Sequence, residues 1–311
     1  MDDITAGDLK QLLVLANRYK FAGPEVQRYL QDGGVIIEPA RFYSPIPLLA
    51  EIEEAFEYRE DSPFSGNGFF DLTVLEGNLR ELSFFSKEFD PPIGGDRAQP
   101  AGYFWGNGMF SYSDAMSDYS MIRKTKPETI IEVGSGFSTL VAREALSVNG
   151  KGRLVCVEPF PRPWLRAMTD LELIEAPAQA LEAGFYNDRL MDGDVLFIDS
   201  THSVKIGSDC LHLYLRVLPQ IDYSIYVHVH DVFLPYGMPK NWAIDKHIYW
   251  TEQYLLLAYL IENERCAFVF GSHLAQRRSP KLLDEFMHGR YPGGGGSFWM
   301  YQAAPKGRPK I

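Results

Sequence analysis

The apolar positions of this chain change their rhythm once. Leu9, Leu12, Leu13, Ala16 and Tyr19 recur every three or four residues, as do Leu72, Leu75, Leu79, Leu82 and Phe85, so each set marks a helix with one apolar face. Between them FYSPIP, residues 42–47, interrupts the pattern, and residues 50–58 resume it as a helix. DPPIGGDRAQP, residues 90–100, is dense in Pro and Gly and marks a boundary. The reading is a helical N-terminal extension over 1–95 and a second domain over 96–311. The extension is expected to cap the core, with pairing of two copies or covering of a site as the alternatives. The aromatic run YFWGNGMFSYSD, residues 103–114, packs a core or closes over a ligand, and leads into a helix starting near Ser113.

From residue 128 onward short runs of Val, Ile and Leu alternate with helical stretches. Strands are expected over 130–133, 153–157, 171–175, 195–198, 225–229, 266–270 and 298–303, with helices over 138–148, 163–168, 204–217 and 251–263. Such alternation predicts an α/β fold with a mainly parallel sheet covered on both faces. The glycine run 293–296 reads as a flexible loop before the last strand.

One stretch stands out against this background, TIIEVGSGFST at residues 129–139, where an apolar strand runs through Gly134 and Gly136 into a helix. Glycines at such a turn permit positive φ and close approach of a ligand to the backbone, and the helix N-terminus favours a polar or anionic group. Polar residues also collect where the other strands stop: Glu158, Asp199, and the pair His230 and Asp231. Ligands of open α/β sheets bind outside the carboxyl ends of the strands, so these residues are expected to face one crevice. Glu158 lies about twenty residues past the glycines, the spacing at which a carboxylate reaches ribose hydroxyls.

Composition narrows the classes. The 311 residues carry a formal charge of −11, which argues against a general nucleic-acid or anionic-membrane surface. The N-terminus is acidic without an apolar signal segment, and the apolar run 255–261 is too short to span a bilayer, so a cytoplasmic protein is expected. Cys156, Cys210 and Cys266 form no CxxC pair and read as buried free thiols.

Two adenosine cofactor classes compete for the turn. A dinucleotide fold wants a third glycine where this chain has Thr139, which disfavours a nicotinamide oxidoreductase. Glu132, just before the glycines, suits the cationic end of a ligand such as S-adenosylmethionine but gives pyrophosphate no attraction.

The ordered set IIEVGSGFST, VEP, GDVLFIDSTH and HVHDVFLP resembles the class I S-adenosylmethionine-dependent methyltransferases, and more closely the branch with macrocin-type and mycinamicin-type sugar O-methyltransferases. The resemblance covers about residues 103–303. It implies a Rossmann-like seven-stranded sheet, mainly parallel with the last strand antiparallel. It also implies a cofactor site built from Glu132, Gly134, Ser135 and Gly136 around the methionine part, Glu158 on the ribose, and Gln179 with Ala178 near the adenine. In that branch an Asp after the fourth strand and two acids after the fifth bind magnesium, and a His three residues past the first Asp is the base. Asp199, His202 and Asp231 match; His230 replaces the first of the later acids, which makes the site less suited to hard magnesium and more tolerant of a softer ion, or removes the metal, so that a bound divalent cation is expected to be Mg or Mn.

The expectation is therefore a methyltransferase acting on oxygen of a small-molecule or glycan-type acceptor. His202 is its candidate base, Asp199 and His230 its further catalytic candidates, and Asp199, His230 and Asp231 the candidate metal ligands. Trp242, Tyr249 and Trp250, in the loop before the helix at 251–263, suit a lid or acceptor pocket. Two other readings stay open, a metal-dependent hydrolase working through the Asp and His cluster, and a non-catalytic cofactor-binding module on the same fold.

Overall fold

The computed structural model describes residues 4–66 and 68–306, and the chain divides into two compact units, Met1–Ala55 and Phe56–Ile311. In the first unit the helix Ala6–Tyr19 starts at Thr5, whose hydroxyl accepts from the Asp8 N–H while the Asp8 carboxylate accepts from the Thr5 N–H. That reciprocal cap satisfies two donors that a helix start otherwise leaves unpaired. A second helix, Pro24–Asp32, opens with proline in its first turn. The expected helix over 50–58 is broken at Ala55, whose ψ of 138° is extended, into Leu49–Glu54 and Phe56–Arg59. The helix Leu72–Ser86, read from the sequence with the extension, falls in the second unit, where it packs on the helices Tyr112–Thr125 and Pro280–Met287 and on the sixth strand.

The second unit is built on seven strands: β1 (Thr129–Val133), β2 (Arg153–Val157), β3 (Glu172–Ile174), β4 (Val195–Ile198), β5 (Ile225–Val229), β6 (Cys266–Gly271) and β7 (Phe298–Gln302). Their order is β3-β2-β1-β4-β5-β7-β6, parallel except that β7 runs antiparallel to both neighbours. The chain winds outward from β1 through β2 and β3, then returns to lay β4 on the other side of β1. That reversal places the switch point between β1 and β4, where Ile131 pairs with Leu196 and Val133 with Ile198. Ile131, Val155, Leu196, Ile198 and Val227 are fully buried, as continuous apolar runs require when helices cover both faces. Cys156 and Cys210 are buried free thiols, whereas Cys266 at the start of β6 is partly exposed.

Two further expectations change. Residues 204–208 are not helical: Gly207 takes a φ of +75°, and the Ser208 hydroxyl accepts from the Leu211 N–H to start a short helix, Asp209–His212. The glycine run is not a flexible loop but a packed strap. The Gly294 carbonyl accepts from the N–H and hydroxyl of Ser113 (3.2 and 2.5 Å), and the Gly296 carbonyl accepts from the Val232 N–H (2.7 Å). Gly294 and Gly295 have φ of +129° and +103°, and a Cβ on Gly295 would strike the Asp114 carboxylate. Gly295→Ala is therefore expected to lower stability by about 3 kcal/mol in chemical unfolding, because backbone strain and overpacking add. A loss below about 0.5 kcal/mol, the size of a surface substitution, would contradict this.

Candidate active site at the switch point

The turn after β1 is shaped by what its glycines avoid. Gly134 donates its N–H to the Val157 carbonyl at 2.9 Å and has a φ of +83°. A Cβ there would overlap the backbone oxygen of Asp199, so only glycine lets the end of β1 lie against the residue that follows β4. A Cβ on Gly136 meets nothing within 4 Å and would project into open space. Between the two, the Ser135 hydroxyl is buried beside the Cys156 thiol. The helix Phe137–Asn149 starts at this turn.

Thr139, at the third glycine position, has a structural task. Its hydroxyl accepts from the Gly136 N–H (3.0 Å) and donates to the Glu132 carboxylate (2.5 Å). Glu132 is 2% exposed; burial pushes its carboxyl up to about 8 against the lowering effect of the Ser138 and Thr139 hydroxyls. It lines neither cavity described below and stands behind the turn, acting on it through Thr139. Glu158, one residue past β2, accepts from the N–H groups of Ser135 (3.2 Å) and Phe160 (2.8 Å), which fixes its carboxylate beside the turn.

Two adjoining cavities open here. One, of about 340 Å³, is bounded by the 134–136 turn, Glu158, Asp199, His202, His230 and Asp231. The other, of about 580 Å³, shares Gly134, Glu158 and Asp199 and extends past Val157 to Ala178 and Gln179. Their sizes are those of small-molecule and cofactor sites. The Gln179 amide donates to the Gly207 carbonyl at 3.0 Å, which ties this wall to the loop ahead of Ser208.

The polar strand ends converge as the topology requires. Asp199 donates its N–H to the Val133 carbonyl and His230 its own to the Ile198 carbonyl, so both stand one residue past the sheet. Asp199, His230 and Asp231 offer ligand atoms within 4.8 Å of one another. His202 Nε2 lies 3.2 Å from Asp199 Oδ1 and 3.8 Å from Asp231 Oδ2. His202 and Asp231 both take left-handed φ, +56° and +54°, conformations that cost about 1–3 kcal/mol each and persist where surroundings impose them. For His202 the surroundings are visible: its carbonyl accepts the N–H groups of Thr251 and Glu252, and its ring lies 4.4 Å from Trp250.

Glu252 was not singled out from the sequence. It opens the mostly apolar helix Glu252–Leu260, is 2% exposed, holds His202 Nδ1 at 2.7 Å, and accepts from the Tyr214 hydroxyl at 3.0 Å. An acid heading a helix whose body is mostly Leu, Ala and Tyr is a signal that could have found it. Asp114 was missed too. In sequence it is an ordinary first-turn acid of Tyr112–Thr125, whereas in the fold it faces His230 Nε2 at 3.3 Å.

Electrostatics follow from these contacts. Burial opposes the charge of His202, but the carboxylates of Asp199 and Glu252 outweigh it and push the imidazole up to about 10. His230 goes well above its usual range for the same reason, burial being overcome by Asp231, Asp199 and Asp114. Asp199 is held well below the carboxylate range: burial resists, and the two histidines prevail. Burial raises Asp231, with His230 opposing. His228, two residues deeper, differs. Burial and the neighbouring His230 hold it well below its usual value, and it is locked between Asp118 (3.2 Å), the Ser297 hydroxyl (2.6 Å) and the face of Trp299.

Asp199, His202, His230 and Asp231 thus form one cluster beside Gly134, Ser135, Gly136 and Glu158; Gln179 lines the adjoining cavity, and Glu132 lies behind the turn. Trp250 borders the same cavity. No helix among the described residues is long and apolar enough to cross a membrane.

A family model described as a methyltransferase domain matches residues 131–232, the segment that carries the glycine turn, Glu158, Asp199, His202, His230 and Asp231. An uncharacterized protein of Archaeoglobus fulgidus is 32% identical over 178 residues, 53% of this chain and 78% of that protein. Among solved structures, an O-methyltransferase from Bacillus cereus in complex with SAH is 14% identical, covering 73% of this chain and 90% of its own, with a TM-score of 0.40. The O-methyltransferase TomG from Streptomyces achromogenes, in complex with SAM, is 16% identical over the same shares, with a TM-score of 0.39. The segment matched by the methyltransferase-domain model is thus the switch-point half of a seven-stranded sheet in the order β3-β2-β1-β4-β5-β7-β6, and it carries every strand-end residue of the cluster.

Proposed function

We propose that the chain methylates an oxygen of a small-molecule or glycan-type acceptor, with His202 as the base and a divalent cation at Asp199, His230 and Asp231. The observation that carries this reading is the pairing of His202 with buried Glu252 on one ring nitrogen while the other faces the cavity beside Asp199. S-adenosylmethionine supplies an electrophilic methyl group when bound. Glu158 is the residue for its ribose, the Gly134–Ser135–Gly136 turn for the methionine part, and the wall at Ala178 and Gln179 for the adenine. The open space in front of Gly136 supports a bound group there. Glu132 takes part by fixing the turn through Thr139.

In-line transfer needs the acceptor held beside the sulfonium and its hydroxyl deprotonated. Asp199 and Glu252 push the His202 imidazole up to about 10, which favours its protonated form at neutral pH. His202 can accept another group's proton only when the negative charge of Asp199 is offset, since Asp199 together with Glu252 holds the imidazole charged. A divalent cation would offset that charge and lower the pKa of an acceptor hydroxyl. Base and cation therefore belong to one device: Glu252 fixes the ring and its tautomer on Nδ1, and Asp199 sets when Nε2 is free. Trp250 and Trp242, in edge contact at 5.6 Å, give the acceptor side an aromatic wall suited to a sugar or planar group.

The test is the linkage in the product. Incubation with methyl-labelled S-adenosylmethionine, Mn(II) and a panel of hydroxylated acceptors should give an O-methyl product by NMR. An N- or C-methyl product would overturn the oxygen assignment.

A further inference from the structure

His230 is where this site departs from an all-oxygen cation site, and its ring is held from both sides. Nδ1 faces the centre, 3.2 Å from Asp199 Oδ1 and 3.7 Å from Asp231 Oδ2. Nε2 points the other way, to Asp114 Oδ2 at 3.3 Å. Asp114 is itself immobilised, because Oδ2 accepts from the Gly296 N–H (3.0 Å) and Oδ1 from the Ser297 N–H (2.8 Å). The glycine strap is thus the mount of this carboxylate, and Asp114 has no spare direction in which to turn.

We propose that Asp114 is a positioning residue that fixes His230 as the Nε2–H tautomer, so that Nδ1 ligates the cation and the site selects a first-row transition ion over magnesium. A ligating imidazole generally donates its far N–H to a carboxylate, which orients the ring and raises its basicity as a ligand. One imidazole with two carboxylates suits Mn(II), Co(II) or Zn(II); magnesium prefers oxygen ligands and gains little from nitrogen. The inference rests on the proposed cation site and adds to it the ion class and the residue responsible. It draws on Asp114 and the strap, which lie outside the strand ends that make up the cluster.

The experiment is calorimetric titration of the full chain with MnCl2 and with MgCl2, without cofactor or acceptor, on wild type, Asp114→Asn and His230→Asp. Wild type is expected to bind Mn(II) at least about 10-fold more tightly than Mg(II). Asp114→Asn should lose about 10- to 100-fold in Mn(II) affinity and little in Mg(II) affinity. His230→Asp should bring the two ions together by supplying a third oxygen ligand. The ratio is the informative readout, since general loosening of the site would weaken both ions alike. Failure of both ions to bind wild type would overturn the cation site itself. Equal affinities in wild type would leave the site standing and overturn its selectivity. An unchanged ratio in folded Asp114→Asn would overturn the part given to Asp114; if that variant does not fold, an unchanged ratio in His230→Asp overturns the ligation by Nδ1.

Discussion

Gly134→Ala is expected to abolish binding of S-adenosylhomocysteine and to lower stability by about 3 kcal/mol. Two independent effects act at this position. The φ of +83° is one an L side chain adopts only with strain, and the added Cβ would overlap the Asp199 carbonyl oxygen, a backbone atom that cannot swing aside. Relief requires β1 and the residue after β4 to separate. That separation moves the glycine turn, Glu158 through its bond to Ser135, and Asp199 together. Gly136→Ala provides the contrast, since its Cβ meets no protein atom. It should leave stability nearly unchanged and weaken only the ligand. Unfolding in urea, with calorimetry on both variants, checks the pair; a stable Gly134→Ala that binds normally would remove the turn from the account.

The second large effect is on turnover. His202→Ala should lower kcat by about 10²–10⁴, the usual contribution of a positioned base, with S-adenosylhomocysteine affinity within about 2-fold of wild type. Glu252→Gln should fall between, because an amide can still contact Nδ1 but no longer carries the charge that favours one tautomer and supports the imidazolium. Methyl-transfer rates under saturating cofactor measure both. A His202→Ala enzyme at wild-type kcat would assign the proton to another group.

The sheet could be read from the chain because its strands are short apolar runs with polar residues or glycine at their ends. The limits of β2, β4 and β5 fall where Val, Ile and Leu stop. The convergence of Glu158, Asp199, His230 and Asp231 followed from one rule, that parallel strands present their carboxyl ends together. What stayed hidden depends on long-range partners. Glu252 reaches His202 across 50 positions and Asp114 reaches His230 across 116, and neither spacing carries a local signature. The run 293–296 looked mobile because glycine is the residue of flexible loops, yet here it is required by how closely Asp114 and Asp231 approach. Thr139 counted in the sequence only as a missing glycine, whereas its hydroxyl joins Gly136 to Glu132. The helices Ser272–Arg278 and Pro280–Met287 escaped notice because the apolar stripe of each is short and Pro280 interrupts the pattern between them.

The central claim, an adenosyl cofactor on Glu158 and the glycine turn, is tested most directly by calorimetric titration with S-adenosylmethionine and S-adenosylhomocysteine, with NAD as control. The titration is repeated on Glu158→Ala. Wild type should bind both adenosyl ligands and not NAD, and the substitution should weaken them roughly 10- to 100-fold, the value of hydrogen bonds to a charged acceptor. Equal affinity in Glu158→Ala, or preference for NAD, would contradict the account.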